Sequence, residues 1–163
     1  MTKTVLAIAA ALGIAAFTTT AEAQNRGIHV GAAGAVQGTA IDNGQWGGTV
    51  SAGYRLNRYL GVEALADFTA ETETARGNQA LFAVATAGFP VGPVTPYVLA
   101  GAGYGFNGLA AADSNPQELW TAGVGVTYNI SDRWQLDGRY RRVESFNGDV
   151  TADRVTLGLN YRF

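Results

Sequence analysis

The chain has 163 residues, with 13 acidic and 11 basic side chains, 22 glycines and no cysteine. That balance leaves no basic patch for nucleic acid, and the lack of cysteine rules out a disulfide framework. A mean hydropathy of +0.04, with no uninterrupted apolar run of about eighteen residues, excludes a bundle of membrane-spanning helices.

Met1-Thr2-Lys3 is followed by an apolar run from Val5 to Phe17 and then by Ala21-Glu22-Ala23. That last triplet is the small-x-small pattern a signal peptidase cuts. The run falls short of the ~20 residues a spanning helix needs, so residues 1–23 are predicted to be a cleavable signal peptide. Residues 24–163 form the predicted mature domain, a single unit without a linker-like stretch. Beyond Lys3 every cationic side chain is an arginine.

Eight alternating segments follow, at Gly27–Gln37, Trp46–Leu56, Tyr59–Ala70, Gln79–Phe89, Pro96–Phe106, Glu118–Ile130, Arg133–Val143 and Ala152–Phe163. A strand points successive side chains to opposite faces, so each reads as a two-faced strand. Their length suits a tilted strand crossing a bilayer better than the ~5–6 residues usual in soluble sheets. The connections through Asn57-Arg58, Pro90–Thr95 and Ser131-Asp132 are short, whereas Gly38–Gln45, Glu71–Asn78, Asn107–Gln117 and Glu144–Thr151 are longer and polar. Short turns on one rim and longer loops on the other are the pattern of a bacterial outer-membrane barrel.

Aromatic residues gather near segment ends, as two interfacial girdles require. Tyr54, Tyr59, Phe89, Tyr97, Tyr128, Trp134, Tyr161 and Phe163 are expected at the short-turn rim, and Trp46, Phe68, Phe82, Tyr104, Phe106, Trp120 and Tyr140 at the loop rim. Segment six is the clearest, with Trp120, Ala122, Val124, Val126, Tyr128 and Ile130 on one face. Segment four is apolar on both faces, so its register stays open. In segment eight Val155, Leu157, Leu159, Tyr161 and Phe163 share one face, opposite Arg154, Thr156, Gly158, Asn160 and Arg162.

The leader, the eight glycine-rich alternating segments and the terminal Tyr161-Arg162-Phe163 resemble the small eight-stranded outer-membrane barrels, the opacity-protein and porin-family group related to the OmpA transmembrane domain. The resemblance covers essentially the whole mature chain and rests on a pattern, not a signature. It implies an all-β fold, a closed antiparallel eight-stranded transmembrane barrel in the bacterial outer membrane. It also implies that Phe163 is the signal read by the barrel-assembly machinery. The pattern departs from full-length OmpA in stopping at the barrel, without a peptidoglycan-binding segment, so no wall-tethering role is expected. The rival is a secreted lipocalin-like barrel whose apolar face points inward around a ligand.

Charge collects on the face opposite the apolar one, at Glu63, Asp67, Asp137, Arg139, Arg141, Arg154 and Arg162. In a bore just wide enough for side chains these groups would pair and plug it, or else line a narrow selectivity ring. Gly101, Gly103, Gly105, Gly123 and Gly125 are expected to make room for the guanidinium groups. His29, the single histidine, faces inward by parity; Ser51 on the next segment is the nearby partner a general base would need. One histidine and no cysteine assemble no metal site, and Asn129-Ile130-Ser131 is a chance sequon. Arg142 breaks the inward parity of Arg139 and Arg141. It is expected to face outward about 26 Å along the strand from Trp134, at the rim where lipopolysaccharide phosphates lie.

The loop charges Asp42, Glu71, Glu73, Asp113, Glu118, Glu144 and Asp149, against Arg76, read as solvated or as cation-bridged to lipopolysaccharide. The sequence therefore predicts a non-enzymatic monomer without cofactor. Its partners are outer-membrane lipid, lipopolysaccharide and the assembly machinery, and its role is envelope integrity or surface contact. A porin-like channel is the alternative.

Overall fold

A computed structural model describes residues 27–39, 42–70, 77–106, 117–148 and 150–163. The predicted signal peptide, the loop residues Glu71, Glu73, Arg76, Asp113 and Asp149, and the Asp42 side chain lie outside what it describes. Eight strands follow in chain order: β1 (Gly27–Thr39), β2 (Asp42–Arg55), β3 (Leu60–Thr69), β4 (Gln79–Gly88), β5 (Val94–Phe106), β6 (Gln117–Asn129), β7 (Trp134–Ser145) and β8 (Thr151–Arg162). Each pairs antiparallel with the next, and β8 returns to β1 from His29 opposite Arg162 to Gly38 opposite Asp153, closing the barrel. Closure leaves no unpaired backbone edge, the condition for a sheet in hydrocarbon.

The alternation runs the whole way round. Val62 on β3, Val98 on β5, Val124 on β6 and Leu157 on β8 point outward, and Leu157 is 62 % exposed. Thr49, Ser51, Glu63, Asp67, Thr121, Thr127, Gln135 and Asp137 point inward and are buried. An apolar belt outside a polar interior is the reverse of a lipocalin-like barrel, which excludes that rival.

Side chains set the tight turns locally. Asn57 Oδ1 accepts from the backbone N–H of Tyr59 and of Leu60, both at 2.8 Å; Ser131 Oγ accepts from Arg133 and Trp134 at 3.4 and 3.1 Å. Such Asx- and Ser-turns let a short side chain replace a backbone acceptor. Gly92, at φ 60°, takes the left-handed position between β4 and β5.

Three sequence expectations need correction. Phe82 is 2 % exposed and faces inward, because it aligns with Leu65 of β3 and Gly103 of β5, both inward positions. Tyr97 also faces inward: it shares the parity of Thr95 and Leu99, while Val98, Tyr104 and Phe106 take the outer face. The stretch Gly38–Gln45 is ladder for most of its length, with Gln37 opposite Gln45 and Thr39 opposite Asp42 after a register shift. Backbone pairing above the apolar belt needs no apolar side chain, so a polar sequence there does not end the strands.

Candidate functional site

β3 and β7 stand four places apart in a ring of eight, so their inward side chains meet across the full bore. Arg139 Nη2 lies 3.2 Å from each carboxylate oxygen of Glu63 and 3.1 Å from Asp137 Oδ2. Its Nε donates to the Tyr97 hydroxyl at 2.8 Å, and that hydroxyl donates to Asp137 Oδ1 at 2.7 Å. Toward the loops, Arg141 Nη2 donates to both oxygens of Asp67 at 2.8 and 2.7 Å. Arg154 Nε lies 3.4 Å from Asp67 Oδ1, and Thr49 donates to the same oxygen at 2.6 Å. The remaining Arg154 nitrogens donate to Gln37 Oε1 at 2.7 Å, Gly48 O at 2.5 Å and Phe68 O at 3.3 Å.

Six of the expected lumen charges thus form two clusters. The one nearer the turns holds two carboxylates and Arg139; the one nearer the loops holds Asp67 and two guanidiniums. Neither is balanced alone, and together they are, as buried charges require. Beside them Leu65, Phe82, Val84, Leu99, Leu119 and Val143 pack as an apolar cluster inside the bore. The Arg141 guanidinium lies 5.6 Å above the Phe82 ring, a cation–π contact, while its Nε and Nη1 have no hydrogen-bond partner among the described residues.

Glycine makes the reach possible. His29, Gly53 and Glu63 form one row across β1, β2 and β3, and His29 Nε2 comes 3.7 Å from Glu63 Oε1. A Cβ on Gly53 would stand 2.5 Å from His29 Cε1. Tyr97, Gly125 and Arg139 repeat the arrangement across β5, β6 and β7, where a Cβ on Gly125 would stand 2.3 Å from the Tyr97 ring. Each glycine lets a side chain pass over the middle strand to the next-but-one. Of the five glycines expected to make room for guanidiniums, Gly123 does so for Arg141, Gly125 seats Tyr97, and Gly101 and Gly103 lie against Val84 and Phe82.

Other candidates fall elsewhere. His29 meets Glu63, with no hydrogen bond to Ser51 among the described residues, and its Nδ1 has no partner. Arg162 stands apart from the ion pairs at the turn rim, where its Nη2 donates to Asn129 Oδ1 at 2.9 Å. Arg142 is exposed on the outer face, and its Nε donates to Glu144 at 2.6 Å. The next outward residue, Tyr140, donates to Asp153 at 2.7 Å. The Phe163 amide donates to Ile28 O at 3.0 Å, and its ring meets Tyr161, which meets Trp134. No group of three or more metal-ligating side chains occurs among the described residues. Gln37 and Thr49 complete the network without having been singled out, and Tyr97 joins it in place of its expected position in the outer girdle, although parity places all three on the inner face.

Residues 4–163 match the family described as outer membrane protein beta-barrel domain. The chain belongs to that family. This outer-membrane barrel superposes on Neisserial surface protein A at TM-score 0.63 and 19 % identity, covering 86 % of this chain and 98 % of that one. The N-terminal barrel of Pseudomonas aeruginosa OprF gives 0.66 at 16 % identity, covering 87 % and 100 %. Ail, the attachment invasion locus protein of Yersinia pestis, gives 0.59 at 22 % identity, covering 85 % and 98 %. No curated protein sequence matches the chain significantly. The barrel is therefore a bacterial outer-membrane protein, with its short turns toward the periplasm as barrels of this class have them.

Proposed function

We propose that this is a non-enzymatic, monomeric envelope protein that supports outer-membrane integrity and surface contact, its lumen plugged by Arg–carboxylate pairs. The observation that carries the plug is the pair of bridges from β3 to β7, Glu63–Arg139 and Asp67–Arg141, with Arg141 at 0 % and Arg154 at 1 % exposure. Opening a path would strip partners from buried charges at about 3–5 kcal/mol for each broken pair. Planar-bilayer recording of the refolded barrel tests this: no stable single-channel steps are expected. Steps whose ion preference changes in Arg139→Ala would overturn the plug and favour a narrow porin-like channel.

Against catalysis, His29 is paired with a carboxylate that Arg139 already holds, inside the bore and away from lipid. Lipid hydrolysis lost in His29→Ala would overturn that part.

Neisserial surface protein A is a surface protein by name, and Ail has been solved with the heparin analogue sucrose octasulfate. Here the described charges at the loop rim are Glu118, Glu144 and Asp153 against Arg142. That acidic excess disfavours a sulfated polyanion and suits a basic or cation-bridged surface. Arg142, outward at that rim, is proposed to contact lipopolysaccharide phosphate in competition with Glu144. Equal lipopolysaccharide-induced thermal stabilisation of wild type and Arg142→Ala would remove that contact. Phe163, seated on β1, is proposed as the residue the barrel-assembly machinery reads.

A further inference from the structure

The two rims of the barrel engage their exposed arginines differently. At the loop rim Arg142 is tied to Glu144 and stands among an excess of acids. At the turn rim Arg58 lies between β2 and β3 and Arg133 between β6 and β7, both exposed. Among the described residues neither forms an ion pair. Asp132 is the one exposed acidic side chain described at this rim, and no ion pair joins it to Arg133.

A tyrosine hydroxyl holds each of these guanidiniums instead. Arg133 Nη1 donates to Tyr161 at 3.3 Å. The Tyr161 ring stands edge-to-face between Trp134, at 5.1 Å, and Phe163, at 5.0 Å, and both of those are exposed on the outer surface. Arg58 Nη2 donates to the Tyr59 hydroxyl, and its guanidinium lies 4.5 Å from the centroid of the same ring, a cation–π contact. Tyr59 in turn stacks on the exposed Phe89 at 6.1 Å. The β2–β3 and β6–β7 turns are four places apart in the ring of eight, so the same arrangement occurs on opposite sides of the barrel.

An aromatic belt by itself settles at the membrane interface without regard to headgroup charge. The arginine adds a preference. A guanidinium tethered to rings at the interface lies at the depth of the lipid phosphates, and its planar fork matches their oxygens. The bond to tyrosine orders the side chain before any lipid arrives, which lowers the cost of binding. With no carboxylate to neutralise it, each arginine favours a lipid of net negative charge over a zwitterionic one by about fivefold.

We propose that the turn rim binds anionic phospholipid of the inner leaflet at two opposed sites, one at Arg133 with Trp134 and Tyr161, the other at Arg58 with Tyr59 and Phe89. The guanidinium takes the headgroup phosphate, and the rings pack against the glycerol and the upper acyl chain. Both sites lie on the lipid-facing rim, so binding is independent of whether the lumen conducts.

One of the three tryptophans, Trp134, is a native reporter of the first site. In refolded Trp46→Phe/Trp120→Phe barrel it is the single tryptophan, and its quenching by brominated lipid in mixed vesicles gives the relative affinity for phosphatidylglycerol and phosphatidylcholine. Phosphatidylglycerol should be preferred by about fivefold, and adding Arg133→Gln should bring the ratio close to unity. Trp120→Phe/Trp134→Phe, which leaves Trp46 at the loop rim, should show no preference. Equal quenching by both lipids at Trp134, an equal preference at Trp46, or a preference that survives Arg133→Gln would each overturn the proposal. The comparison of Trp134 with Trp46 decides it even where Arg133→Gln does not refold. Phe89→Trp, as the single tryptophan of a third protein, reads the second site in the same way, and the lack of a preference there that Arg58→Gln abolishes would overturn that site.

Discussion

Asp67→Asn is the most informative single change, because one carboxylate serves two buried guanidiniums. Asparagine keeps the shape but presents an amide N–H₂ or a neutral oxygen to Arg141 Nη2, which now sits 2.7 Å from Oδ2. Among the described residues Arg141 has no other hydrogen-bonded acceptor, since its Nε and Nη1 are unpartnered there. Arg154 still has Gln37, Gly48 and Phe68. The charge left alone is that of Arg141, and removing one partner of a buried pair costs about 3–5 kcal/mol. At ~1.4 kcal/mol per decade this lowers the folding equilibrium more than a hundredfold. Arg141→Met should cost less than about 2 kcal/mol, because Asp67 keeps Arg154 and Thr49 and the methionine packs against Phe82. Urea unfolding in lipid vesicles, followed by tryptophan fluorescence, measures both. The reasoning fails if Asp67→Asn costs under about 1 kcal/mol, or if Arg141→Met is as destabilising as Asp67→Asn.

Gly125→Ala should destabilise by about 1–3 kcal/mol, since its Cβ meets the Tyr97 ring at 2.3 Å. Adding Tyr97→Ala should give a double variant less unstable than the sum of the two single changes; strict additivity would refute the contact. Leu157→Arg, on the lipid face, should cost about 2–4 kcal/mol if it sits near the bilayer midplane, measured by the same unfolding assay. Removal of the Phe163 ring in Phe163→Ala should reduce the amount of barrel inserted in cells and leave unassisted refolding into detergent nearly unchanged; an equal loss in both would place its role in stability.

Strand number, topology and the lipid-facing set were legible because β3, β6, β7 and β8 carry unlike residues on their two faces. Parity alone put Glu63, Asp67, Asp137, Arg139, Arg141 and Arg154 inside. It failed for Phe82, where both faces of β4 are apolar and only pairing with Leu65 and Gly103 fixes the side. For Tyr97 the weight given to aromatics at strand ends overrode a parity that Thr95 and Leu99 already stated. Which acid meets which arginine was not legible, because Glu63 and Arg139 lie 76 positions apart in the chain and meet only through the stagger of a closed ring. The same holds for His29. Ser51 is on the adjacent strand, yet the row through Gly53 delivers the ring to Glu63, one strand further on.

The lumen pairs also have a specifying role that an apolar core could not have in this solvent. In water, burying Leu65 or Phe82 separates inside from outside by the hydrophobic effect. In a bilayer the lipid is as apolar as the bore, so those side chains discriminate weakly between the two faces. The charged groups discriminate strongly. A slip of one residue in the pairing of β7 would turn Arg139 and Arg141 outward and bring Tyr140 and Arg142 in. Each guanidinium facing the mid-bilayer would cost about 2–4 kcal/mol, Asp137 would turn outward with them, and the buried carboxylates Glu63 and Asp67 would lose Arg139 and Arg141. Alternative registers of this strand are therefore separated from the native one by well over the energy of any single contact. The buried arginines thus fix the register of a sheet whose glycine-rich strands would otherwise set it only loosely.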